Sequence, residues 1–167
     1  MEIKNSSCLN DACCDIFQKF GINGNTTFKV LEFKIDGRPL ILKNNKQIFV
    51  NPETNRPIVL KNKNYEANIK DVHKALEIQR MKYRNDIEFP IKVCFVAYEF
   101  HYGNKIMGDI TNLYEAPNDA MQYVGILEDD KLIATTLPSC RIIDKKWEGS
   151  IIRIYVPDKL SHVVEEK

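Results

Sequence analysis

FPIKVCFVAYEFHYGNKIMGDITNLYEAPNDAMQYVGILEDDKLIATT, residues 89–136, is the stretch that decides the fold. Its first twelve residues form a near-continuous apolar run, which predicts a central strand covered on both faces. HYGNKIMG continues as a loop or an extension of that strand. Asp109–Thr111 then carries the chemistry of a helix start, and the helix runs to about Tyr123 with Gly125 as its stop. Pro117 lies inside it, lacks the N–H for the bond back to Leu113, and is expected to kink it. KLIATT (131–136) reads as the returning strand.

Outward from this unit, TTFKVLEFKI (26–35) is β-branched and aromatic and predicts a strand. Short strands around Gln47–Val50 and Ile58–Leu60 flank NPETNRP, which has strong turn chemistry, so a hairpin is expected there. Residues 64–82 have helical period, with Tyr65, Ile69, Val72, Ala75 and Leu76 on one stripe. SIIRIYV (150–156) predicts a last strand after a turn at Lys145–Gly149. Residues 1–25 read as an appendage in which Asn10 or Asp11 caps a short helix that Gly21 ends. Residues 161–167 read as a tail. Residues 26–160 are expected to form a single α+β domain, a mixed sheet with helices packed on it.

The chain has 167 residues, 44% hydrophobic and 28% charged, which suits one folded domain with a core of its own. Cys8, Cys13, Cys14, Cys94 and Cys140 are odd in number and irregular in spacing, so ordinary reduced thiols are expected. No window approaches the roughly 18 apolar residues of a membrane helix and the start carries no signal-peptide core. A cytoplasmic protein without a membrane partner follows as the expectation.

The net charge of +1 argues against a simple basic coat for nucleic acid, but the charges are segregated. Between Gly37 and Lys63 stand six cations (Arg38, Lys43, Lys46, Arg56, Lys61, Lys63) and one anion, Glu53. Between Asp109 and Asp130 stand six anions (Asp109, Glu115, Asp119, Glu128, Asp129, Asp130) and no cation. The first segment suits a polyanion backbone, with Arg38, Lys43, Lys46, Lys61 and Lys63 as candidate phosphate contacts; the second suits a hard divalent cation. Two solvated surface patches are the plainer alternative. Thr111, Glu115 and Asp119 are spaced i, i+4, i+8 and share one helix face, with Glu128–Asp130 following the glycine stop. His73, His101 and His162 are scattered and read as structural, as does Trp147. A P-loop, a Ser-His-Asp order and a dinucleotide fingerprint are all absent from the sequence.

Residues 108–136 resemble the RusA-type Holliday junction resolvases. That family has an Asp-x-Asp-Asn helix start, an Asp-Ala-Leu-like step and a Gly-Val-x-x-Asp-Asp turn. The counterparts here are Asp109-Ile110-Thr111-Asn112, Asp119-Ala120-Met121 and Gly125-Ile126-Leu127-Glu128-Asp129-Asp130, without a gap. GRPLILKN (37–44) resembles the family's Gly-x-Pro segment, and the likeness covers roughly residues 27–156. It implies a RusA-like fold and a homodimeric, Mg²⁺- or Mn²⁺-dependent endonuclease that cuts four-way junctions and related branched DNA in recombination and repair. It also implies metal ligation by Asp109 and Asp130, with Asp129 beside them and Asn112 and Asp119 supporting. Two positions depart from the pattern: the second helix-start aspartate is Thr111, and the lysine one turn later is Glu115. Glu115 is expected to replace the lost ligand across the i, i+4 step, with Thr111 as a cap or water holder. Lys105, Lys131 or Arg141 would then supply the missing cation. A catalytically weakened branched-DNA-binding protein of the same fold is the alternative.

Overall fold

The computed structural model describes residues 27–40, 46–61, 63–105 and 109–158. The expected N-terminal helix and C-terminal tail, Lys43, His162, and Cys8, Cys13 and Cys14 lie outside these residues. Among them a mixed sheet carries two helices on one face, an α+β domain as the sequence predicts.

Strand β1 (Phe28–Asp36) alternates: Leu31, Phe33 and Ile35 are buried between exposed neighbours. Two short strands follow, β2 (Lys46–Val50) and β3 (Pro57–Lys61), which form the expected hairpin as a two-stranded sheet of their own. Helix α1 (Lys63–Arg80) ends in a 3₁₀ turn, Met81–Tyr83. Then come β4 (Cys94–Tyr102), α2 (Ile110–Tyr123), a 3₁₀ turn (Asp130–Leu132), β5 (Ile133–Thr136), β6 (Cys140–Ile143) and β7 (Gly149–Pro157). β7 pairs antiparallel with β1 on one side and with β4 on the other, while β5 and β6 both run parallel to β4. Parallel neighbours need a crossover, and α2 supplies it between β4 and β5.

Leu31, Phe33, Val96, Tyr98, Phe100, Ile152 and Ile154 pack from the sheet against Val72 and Leu76 of α1 and Leu113, Ala120 and Met121 of α2. On the opposite face Phe95 and Ala97 are buried beneath Leu137. Strand β4 is therefore central and covered on both sides, which is why its sequence shows no alternation. Cys94 belongs to this core, and burial pushes its thiol up to about 12, as expected for a reduced, unreactive side chain.

Some boundaries differ from the sequence expectation. The strand expected from Phe89 begins at Cys94; before it, Pro90 offers no N–H, and Ile91 makes only an isolated parallel bridge to Leu127. Residues 130–132 wind into the 3₁₀ turn, so β5 is shorter than expected. Strand β6, with one charged and two aliphatic residues in four, was not expected. Helix α2 runs from Ile110 to Tyr123 through Pro117, which is buried on its inner side with Leu113 and Ala116.

Three side chains fix α1 and its terminal 3₁₀ turn against this frame. The Arg80 guanidinium donates to the Val124 carbonyl at the end of α2, just before Gly125 turns the chain with φ +68°. At the free edge of β1, the Tyr83 hydroxyl pairs with Glu32 N and O, both at 3.1 Å. The Gln79 amide bonds Lys34 N at 2.8 Å and Lys34 O at 2.6 Å. These bonds satisfy backbone groups that would otherwise offer a docking edge.

Candidate functional site

Asp109 is the N-cap of α2, with extended backbone, and its carboxylate accepts from Thr111 N at 3.3 Å. Asn112 N bonds the Asp109 carbonyl at 3.1 Å, so the helix start is closed by its own residues. Thr111 is exposed, and Asn112 and Glu115 are half-buried. One and two turns further along lie Glu115 and Asp119, on the helix face away from the core residues Leu113, Ala116 and Ala120.

Beyond Gly125 the chain pairs with Ile91, just ahead of β4. Ile91 N bonds Ile126 O at 2.8 Å and Glu128 N bonds Ile91 O at 3.2 Å. This tether delivers Asp129 and Asp130 beside α2. Asp129 caps the 3₁₀ turn, accepting from Lys131 N at 3.0 Å. That backbone N–H, a hydrogen bond with Asp130 and the Lys131 charge hold its carboxyl below the usual range, against a smaller opposing effect of burial. Asp119 behaves oppositely. Burial, then the charges of Asp130 and Glu115, raise its carboxyl above the usual value. Strand β4 forms the back of the seam: Tyr98, buried, donates its hydroxyl to Asn118 Oδ1, and its ring lies 4.9 Å from that of Tyr114. Burial first, then neighbours that include Asp130, push the Tyr98 phenol up, so it stays a neutral donor.

The fold thus groups Glu115, Asp119, Asp129 and Asp130 along the α2–turn seam, with Lys131 as the adjacent cation. Asp109 stands six residues before Glu115, about 9 Å along the helix axis at 1.5 Å per residue. Among the described residues no group of three or more His, Cys, Asp or Glu side chains is close enough to hold a metal ion by itself. The seam offers carboxylates in ones and twos, the donor set that Mg²⁺ takes when water and substrate phosphates complete its shell. Asp119 is exposed there, and Glu115, Asp129 and Asp130 are half-buried. A cavity of about 460 Å³ lies elsewhere, between β1, α1 and the inner side of α2, lined by Ile35, Arg38, Leu40, Val72, Leu113 and Pro117 among others.

No family model and no curated protein matches the chain. Among the described residues no helix is long and apolar enough to cross a membrane.

The candidate phosphate contacts fall in two places. Arg38 is exposed after β1, with its guanidinium 5.9 Å above the Tyr102 ring. Lys46 and Lys61 are Cα partners at the base of the hairpin, and Lys63 opens α1. Lys105 and Arg141 are exposed, with Arg141 on β6.

A second polar cluster on the open face of the sheet was not legible in the sequence. Arg153 of β7 donates to Glu32 Oε2 of β1 at 2.8 Å and to Glu99 of β4. Burial alone would raise the Glu99 carboxyl, but Arg153 and His101 outweigh it and hold it low. His101 sits between Glu99 and Asp144 at 3.5 and 3.6 Å, against Trp147. Trp147 donates to Asp36 Oδ1 at 2.7 Å beneath the Lys34 ammonium. His101 and Trp147, read as structural from the sequence, both make their contacts within this cluster. Glu32, Glu99 and Arg153 each occupy alternate, outward strand positions, but only the register brings them together.

Proposed function

We propose that this chain is a divalent-metal-dependent endonuclease of branched DNA, acting in the cytoplasm as a homodimer so that two sites nick opposing strands of a four-way junction. The observation that carries the reading is geometric: the α2 face that bears Glu115 and Asp119 meets the turn that bears Asp129 and Asp130, so that Asp119 feels the charge of Asp130 across the seam and of Glu115 on its own helix. Four carboxylates gathered where helix and turn meet, with Lys131 alone beside them, repel one another and suit a cation-dependent site. Their order along the chain is that of the resolvase pattern.

In this reading Asp130 and Glu115 are the principal holders of the ion, and Asp109 at the helix start is the ligand the resemblance adds. Asp129, tied to Lys131 N, keeps Asp130 oriented. When bound, the ion supplies Lewis acidity and a hydroxide-like nucleophile at neutral pH. Lys131 neutralises charge on the scissile phosphate, the task of the lysine that Glu115 displaces. Arg38, Lys46, Lys61 and Lys63, with Lys43, contact the flanking phosphates and fix the DNA without reading its sequence.

The absence of a three-carboxylate group among the described residues favours one second reading, a junction-binding protein that has lost its chemistry. A labelled four-way junction separates the two. With the full chain, Mg²⁺ yields paired symmetric nicks that EDTA abolishes. A retarded band with intact strands at every Mg²⁺ and Mn²⁺ concentration identifies the binding protein.

A further inference from the structure

Among the described residues the hairpin is not hydrogen-bonded into the main sheet. Its strands form a separate sheet, and each packs to any extent only on the other among the described elements. A lone two-stranded ribbon is marginally stable in water, so one built with care calls for an explanation. The turn is built with care. Asn51 N bonds Arg56 O at 2.9 Å and Asn55 N bonds Asn51 O at 2.8 Å. Asn51 Oδ1 accepts from Glu53 N at 2.9 Å and Thr54 N at 3.4 Å. Asn55 takes the left-handed φ of +50° that asparagine tolerates better than most residues.

This braced tip displays apolar side chains to solvent. Phe49 is 50% exposed and Val50 59%, and neither belongs to a core cluster. From Lys46 to Lys63 the chain carries Lys46, Arg56, Lys61 and Lys63 against Glu53 alone. The register makes Lys46 the Cα partner of Lys61 at the base of the ribbon. An exposed aromatic ring on a ribbon whose sequence is rich in cations fits one partner chemistry well: a polyanion that also offers flat π-faces. Intact duplex buries those faces in its stack. They are accessible at branch points, ends and gaps.

Building on the DNA reading above, we propose that the β2–β3 ribbon is the element that recognises the branch: Phe49 stacks on an unpaired or splayed base while the ribbon's cations bind the flanking phosphates. Stacking of this kind tolerates any base, so the selectivity is for structure and not for sequence.

The test measures binding of the full chain, in EDTA, to a fluorescent four-way junction and to an intact duplex of equal length. Phe49→Ala should weaken junction binding roughly 5- to 150-fold, the fold-change of one base stacked on one ring. Duplex affinity should stay within about twofold, since phosphate contacts supply nearly all of it. Phe49→Trp should retain junction binding. A 2-aminopurine at the branch point should be quenched by the wild type and by Phe49→Trp, and not by Phe49→Ala. Circular dichroism checks that the variants fold, as the position of Phe49 outside both cores leads one to expect. Equal junction affinity of Phe49→Ala and wild type overturns the proposal, as does an equal loss on junction and duplex, or a wild type that binds no DNA at low salt. If the ribbon variants behave as expected and Mg²⁺ yields no nicks, the nuclease reading falls and the ribbon proposal stands. If the wild type cuts and Phe49→Ala binds normally, only the ribbon proposal falls.

Discussion

Replacing Asp119 by Asn should stabilise the metal-free protein, although it removes a charged group from a soluble surface. Asp119 faces two like charges, Asp130 and Glu115, and its carboxyl is raised by burial and by both of them. Each repulsion between exposed carboxylates at this kind of spacing costs a few tenths of a kcal/mol, so removing both should gain about 0.5–1 kcal/mol at pH 7. For a chain of this size that is an increase in Tm of about 1–4 °C. The sign with pH follows from the direction of the shift. Below the ordinary value of 3.8 the group is neutral folded or unfolded, so the substitution gains nothing. As pH rises above that value, the unfolded chain loses its proton first, the folded chain bears the cost of ionisation, and the gain of Asp119→Asn appears. Divalent metal should reverse the order. An ion held at the seam stabilises the wild type by about 1.4 kcal/mol at ten times its dissociation constant, and should stabilise the variant less. Thermal scans at pH 3 and pH 7, in EDTA and in Mg²⁺, read all four quantities. A variant no more stable than wild type at pH 7, or equally favoured at pH 3, refutes the repulsion. Equal responses of the two proteins to Mg²⁺ refute the shared ion.

Glu115→Gln should raise the Mg²⁺ concentration needed for cleavage about 10- to 100-fold, by analogy with loss of a group that supports a metal site, while junction binding in EDTA persists; an unchanged Mg²⁺ titration would show that Glu115 is no ligand. Arg153→Met leaves Glu32 and Glu99 without their shared counter-ion and should cost about 1–3 kcal/mol in urea unfolding at pH 7. The Glu99 carboxyl is held low, so that difference should shrink as pH falls through its folded value and Glu99 takes up a proton; a deficit constant with pH counts against the pairing. A Cβ at Gly149 would meet the Trp147 ring and come within 2.5 Å of the Ile35 carbonyl oxygen, so Gly149→Ala should cost about 1–3 kcal/mol and alter the emission of the chain's single tryptophan. Unchanged stability and spectrum would mean that the indole does not lie over Gly149.

The parts of this fold that sequence reveals are those whose signal is local. The unbroken apolar run of β4 marks a strand covered twice, the stripe of Ile69, Val72 and Leu76 marks α1, and Gly125 marks the end of α2 through its left-handed turn. The hairpin is legible because NPETNRP can do little except turn. Strand β6 was hidden: four residues, one charged, acquire strand character only by pairing with β4. The same holds for the site. The acidic spacing along α2 shows which carboxylates share a face. That Asp130 lies near Asp119 depends on the Ile91 tether, which joins residues far apart in sequence. The Arg153 cluster depends on three strands in register, and no window of sequence contains it.

In the proposed reading, DNA cleavage requires an ion held where Asp130 meets α2. The most direct test of that reading is a Mg²⁺ series on a labelled four-way junction with the wild type and Asp130→Asn side by side. Paired nicks from the wild type should rise with Mg²⁺, and the variant should give none while still binding the junction. A variant that cuts as fast as the wild type, or a wild type that never cuts, contradicts the reading.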